Sequence, residues 1–171
     1  MPSLPSMRFQ GNCDSLSGHI FDCSDYKQAD KYVTSLKRVS EHVGAEFKFG
    51  GDIQLSIVNE HLFTVPLPVA PTIVGPANPT SAEHLANMIF KGEIDQYIKR
   101  KAILIDNVQK AYILVIGQYT DLLQSKMKQQ ANWVQTSTDQ DVIALLVIIK
   151  AITYKFEDQK FFASGSTTSQ T

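Results

Sequence analysis

The residues best equipped for chemistry sit early in the chain. Cys13, His19 and Cys23 are metal-ligand types, and a tightly folded loop would bring the three together. Their spacing speaks against it. The two cysteines lie ten residues apart, whereas knuckle and finger sites pair cysteines roughly two to four residues apart. The remaining histidines, His42, His61 and His84, fall in separate predicted elements, so neither a metal nor any other cofactor is expected. A nucleophilic thiol needs a base and an electropositive setting. Asp14, Asp22 and Asp25 make the surroundings acidic, which raises a thiol pKa rather than lowering it. A disulfide remains open at this spacing, but with no signal peptide two reduced thiols are the simpler reading.

Gly50-Gly51-Asp52 is similar to the start of the loop used by cyclic-dinucleotide cyclases, yet Ile53 and Gln54 stand where acidic and aromatic residues should follow. A turn ending in a helix cap explains all three residues. Lys99-Arg100-Lys101 is the one basic cluster, with Lys91 two turns upstream and Glu93, Asp95 and Asp106 nearby. On a helix these charges fan around the axis as a solvated face, and a weak phosphate contact is the sharper alternative. There is no Walker loop, no dinucleotide fingerprint and no carboxylate pair in an apolar setting. The expected protein is therefore not an enzyme and takes no small-molecule substrate.

Charge and composition narrow the partners. Residues 1–80 carry six basic and eight acidic side chains, and residues 81–171 carry ten and nine. Neither half has the basic excess that strong nucleic-acid binding requires. With 43% hydrophobic and 19% charged residues the composition is globular. The start, Met1-Pro2-Ser3-Leu4-Pro5-Ser6, lacks the apolar core of a secretory signal. The longest apolar run, Val142 to Ile149, is eight residues, against ~20 for a membrane span. A cytoplasmic protein without membrane contact is expected.

The elements that must position these residues follow from prolines and periodicity. Five of seven prolines fall at 66, 68, 71, 76 and 79, so residues 64–80 read as an extended, polyproline-like linker and semi-rigid spacer. It divides an N-terminal helical and loop unit, 9–63, from a helical unit, 81–162. Disordered tails are expected at 1–8 and 163–171. In the first unit, Asp25 caps a helix whose stripe is Ala29, Tyr32, Val33, Leu36, Val39 and Val43. His19 to Cys23 reads as a short extended piece, and residues 53–63 read as a helix capped by Asp52.

The second unit opens on a capping box, Thr80-Ser81-Ala82-Glu83. Apolar residues then recur in steps of three and four to Leu123, predicting one very long helix or two nearly collinear ones across 82–128. Gly92 is the candidate break and Gly117 the candidate close helix crossing. Residues 127–138 read as a loop. Hydroxyls and acids at 137–141 then start a helix that continues through Ile152, Phe156 and Lys160, buried on most sides against the 103–123 helix. Leu145, Ile149, Ile152 and Phe156 are its packing and association residues, and Trp133 closes the corner before it. The class is mainly α: an irregular N-terminal part with one or two helices, then a long helix packed on a C-terminal buried one.

Four strings in this order extend the reading: Phe9-Gln10-Gly11-Asn12-Cys13-Asp14, Gly18-His19-Ile20-Phe21-Asp22-Cys23, Glu46-Phe47-Lys48-Phe49-Gly50-Gly51-Asp52-Ile53 and Phe156-Glu157-Asp158-Gln159-Lys160-Phe161. Together they resemble the Gag-like N-terminal region of copia-type retrotransposon polyproteins from microalgal genomes, over roughly residues 8–162. Lys99 to Met127, Trp133 and the helix to Phe156 are similar to that family's capsid-type helical domain. The resemblance implies a structural, self-associating protein, a homo-oligomer that encloses element RNA, and no catalytic residues. It also implies a truncated copy, because further capsid helices, a zinc knuckle and a basic tail would be expected after Phe162. Truncation would leave the last helix an apolar association face. A host adaptor that binds a partner through the 142–156 stripe or the proline-rich linker is the alternative.

Overall fold

The computed structural model describes residues 8–164, with side chains through residue 155. The expected disordered tails therefore fall almost wholly outside the described residues, as does the side chain of Phe156. Six α-helices run in order: α1 Gln28–Glu46, α2 Gly50–Val58, α3 Ser81–Ile116, α4 Asp121–Met127, α5 Trp133–Asp139 and α6 Val142–Ser164. A 3-10 turn, Asp14–Leu16, precedes them. The described residues contain no strand, only an isolated parallel bridge between Phe21 and Tyr119. The fold is mainly α.

Helix starts follow local chemistry. Thr80 Oγ1 accepts from the Glu83 N–H at 3.2 Å, and Glu83 Oε2 accepts from the Thr80 N–H at 2.7 Å, closing the capping box on α3. Asp141 Oδ1 accepts from the N–H groups of Ile143 and Ala144 at 2.8 and 3.2 Å, which satisfies the first turn of α6. At α2 the outcome differs from the expectation. The helix begins at Gly50, after Phe49 in the left-handed region at φ 50°, and Asp52 lies inside the first turn rather than at the cap. The reason is steric. A Cβ on Gly50 would sit 2.4 Å from the Val43 carbonyl oxygen and 2.5 Å from that of Gly44. The end of α1 and the start of α2 thus meet backbone to backbone.

α3 is a single helix of 36 residues, about 54 Å long at 1.5 Å per residue. It runs through Gly92 without a break and stops at Gly117. The predicted collinear extension therefore fails, because the chain turns at Gly117–Thr120 before α4. A Cβ on Gly117 would come within 3.2 Å of the Asn12 Cβ, so the close approach there is to the N-terminal loop and not to another helix. Residues 133–139, read as loop, form the short helix α5.

One core draws on both sides of the proline-rich stretch. Phe21, Tyr32, Val39, Val43, Ile53 and Ile57 share it with Leu104, Ala111, Val115, Leu123, Met127, Leu145 and Ile149. The 64–80 segment therefore does not separate two units. α6 is the centre: α1, α2, α3, α4 and α5 all pack on it, which explains an apolar sequence with so little polar face. In α1 the stripe holds at Ala29, Tyr32, Val39 and Val43, but Val33 is 55% exposed. Buried Gln28 reaches the Thr153 carbonyl at 2.7 Å, and buried Ser35 reaches the Ile20 carbonyl at 2.7 Å.

Candidate functional site

The polar residues of the N-terminal loop hold structure. Gln118, fully buried at the corner between α3 and α4, accepts from the Cys13 N–H at 2.9 Å through Oε1. Its Nε2 donates to the Leu16 and His19 carbonyls, each at 3.1 Å. Backbone bonds from Asn12 to Gly117 O and from Phe21 to Gln118 O, both 2.8 Å, clip the same loop to the corner. Asp22 is buried and accepts from the Cys23 N–H, the Ser24 hydroxyl and the Thr120 hydroxyl. Burial pushes its carboxyl up, but those hydrogen bonds and Lys31 outweigh burial and hold it below its usual value.

The Cys23 thiol lacks the setting of a nucleophile. Cys13 is half-buried, Cys23 is buried, and both are free. Burial, opposed by Lys126 and joined by Asp22, pushes the Cys23 thiol up. Among the described residues no group of three His, Cys, Asp or Glu side chains is placed to hold a metal ion. No helix of the described residues is long and apolar enough to cross a membrane.

The basic cluster does not act as one patch. Arg100 Nε and Nη2 donate to Asp52 Oδ2 and Oδ1, both at 2.6 Å, with the Asp52 carboxylate buried. The guanidinium also lies 5.6 Å from the Phe63 ring centroid. Such a fork-to-fork pair leaves little of Arg100 for an external phosphate. Lys101 lies 5.4 Å from the centroid of Tyr97, and Lys99 is exposed. Of the three residues read as a weak phosphate contact, Arg100 is thus committed inside the chain.

The expected association residues lie deeper than an association surface. Leu145 and Ile149 are fully buried, Ile152 is 6% exposed, and half-buried Trp133 packs against the same core. They pack within the single chain.

The first half of α3 is different. No residue of α3 before Leu104 is buried. Along this arm the half-buried positions Ala86, Phe90, Ile94, Tyr97 and Arg100 recur at helical spacing. The proline-rich segment meets the arm at both of its ends. Pro66 lies with Arg100 in one groove, and nine residues from Glu83 the Val74 N–H donates to the Glu83 carboxylate at 2.9 Å. Eight residues of polyproline at 3.1 Å and seventeen of helix at 1.5 Å both span about 25 Å. Buried Val65 and half-buried Pro68 and Pro71 recur every third residue, the period of a polyproline helix. The segment is therefore a strap laid antiparallel along α3. Where it crosses α3 and the start of α2, an open groove of about 650 Å³ is walled by Phe49, Val65, Pro66, Tyr97 and Ile103, with Lys48, Lys99 and Glu93 adding charge. On the arm Leu85 and Met88, away from the strap, are 59% and 71% exposed, and Ile89, at its edge, is 55% exposed.

Compared with protein-family models, with curated proteins and with solved structures, the chain matches none.

Sequence reasoning passed over Gln118 and the Asp52–Arg100 pair. A lone glutamine after a glycine carries no periodic signal, and a pair 48 residues apart needs the fold to bring it together. The bare side of the arm was legible, since Leu85, Met88 and Ile89 stood in the helical stripe. Only the structure separates them from the buried part of that stripe.

Proposed function

We propose that the chain is a non-catalytic structural module that self-associates, in keeping with its resemblance to the Gag-like region of copia-type retrotransposon polyproteins. The observation that supports this reading is the arm. An α-helix of 36 residues leaves the core with a row of large apolar side chains facing outward, and exposed apolar surface of this kind marks interaction sites. The polar residues best suited to catalysis are meanwhile engaged in holding the loop and the α2–α3 contact. Light scattering coupled to size exclusion tests the reading. Mass should rise with concentration through the high micromolar range, and a strict monomer there would refute it.

The adaptor reading has one observation in its favour, the groove between strap and arm. Its volume lies in the range of ligand pockets, and its walls are largely apolar. Against the 142–156 stripe as the adaptor's contact stands the burial of Leu145, Ile149 and Ile152. A heteropartner seated in the groove would shift the amide resonances of Tyr97 and Ile103 and leave those of Met88 unmoved.

A further inference from the structure

Gly92 has no explanation inside the chain. It sits in the interior of α3, where glycine is about 1 kcal/mol less favourable than alanine. Gly50 is required by close backbone neighbours, whereas Gly51, in the first turn of α2, has open space. At Gly92 an added Cβ would meet nothing within 4 Å. A glycine that weakens its helix without relieving any internal crowding suggests close approach from outside.

Its neighbours on the helix surface say what approaches. At 100° per residue Gly92 falls between Met88 and Ile89 in angle, one turn along from both, with Leu85 in the same sector. Met88 and Leu85 lie with Gly92 on the side away from the strap, while Ile89 and Ile98, also exposed, flank that face. The face therefore holds both a long flexible knob, Met88, and an open recess over Gly92, four residues apart. That is self-complementary. A two-fold axis through the helix surface near position 90 brings Met88 of each copy over Gly92 of the other.

The flanking charges fit the same occupant. Lys91, Glu93, Asp95 and Lys99 mix both signs along the arm, and the chain's net charge is −1, so neither a strongly acidic nor a strongly basic partner is favoured and two copies do not repel. From position 81 to 103 the arm is about 34 Å long. With a contact strip roughly 10 Å wide it offers on the order of 350 Å² per copy, under half of the roughly 800 Å² per partner in a standard interface. The contact is thus weak, and being two-fold it closes on a pair of copies.

We infer that the bare face of the α3 arm, centred on Met88 and Gly92, is a homotypic contact in which two copies cross with Met88 seated over Gly92. This rests on the self-association proposed above. The test is Gly92→Ala in the full chain. It should raise thermal stability, because alanine favours the helix, and weaken self-association at least threefold, read by sedimentation equilibrium. Met88→Gln should weaken association without raising stability. If the chain associates but neither variant alters the constant, this contact is refuted while self-association stands. If the unsubstituted chain is a strict monomer, both fall. Variants that associate more tightly would also overturn it, since they would show the recess to be unoccupied.

Discussion

Asp22 shows how a residue with catalytic chemistry can be wholly occupied by structure. Its carboxylate collects a backbone N–H and two hydroxyls at the junction of the N-terminal loop with the α3–α4 corner. Because its folded pKa lies below the unfolded value near 3.9, its contribution is fully present above about pH 4 and is lost as pH falls through the folded value. Urea unfolding should find Asp22→Asn less stable than the unsubstituted chain by about 1–3 kcal/mol at pH 7. The gap should narrow by pH 3. A constant gap across that window would show that the charge is not what matters. Gln118 does comparable work without charge, and nothing in the residue pattern marked it. A buried amide is identified by the donors and acceptors that converge on it, and those come from residues 99–105 positions away.

At the level of elements, legibility tracked how local the cause was. The capping box at Thr80 and the start of α6 at Asp141 are set by residues within four of each other, and both could be read directly. The end of α3 could not, because Gly117 stops the helix in company with Asn12, far away in sequence. The α1–α2 corner is likewise a property of two elements. Gly50 and Asp52 looked like turn and cap, whereas one permits backbone contact with α1 and the other binds Arg100 on α3. Gly50→Ala should therefore cost about 1–3 kcal/mol through overpacking, despite alanine's better helix propensity. Thermal unfolding would check this, and a stabilised variant would show that α1 and α2 can part without cost. Set beside Gly92→Ala, the same substitution is expected to have opposite effects on stability in two helices.

For the molecule as a whole, periodicity revealed which faces are apolar but not what covers them. The stripe of α6 proved to be the centre of one core, and the stripe of α3 divides at Leu104 into a covered half and an arm. The proline run was read as a spacer because its rigidity was legible while its resting place was not. As a strap it is held at one end by core burial of Val65 and at the other by Glu83. Glu83→Ala removes both the capping-box partner and the bond to Val74. It should loosen the start of the arm and speed proteolytic cleavage within 66–79, leaving cleavage within α1 unchanged. Equal protection in both proteins would show that the strap is held by its prolines alone.

The central place of α6 also bears on how the chain is made. Gln28, at the start of α1, bonds the Thr153 carbonyl across 125 residues. At roughly 5–20 residues per second, a ribosome needs about 6–25 s to travel between them. Throughout that interval α1 and its first partner α2 have been synthesised, and the side of α1 that packs on α6 has no partner yet. The nascent chain must keep that surface from other chains until its last long helix emerges, so slowing elongation upstream of α6 should lower the yield of native protein more than slowing it afterwards.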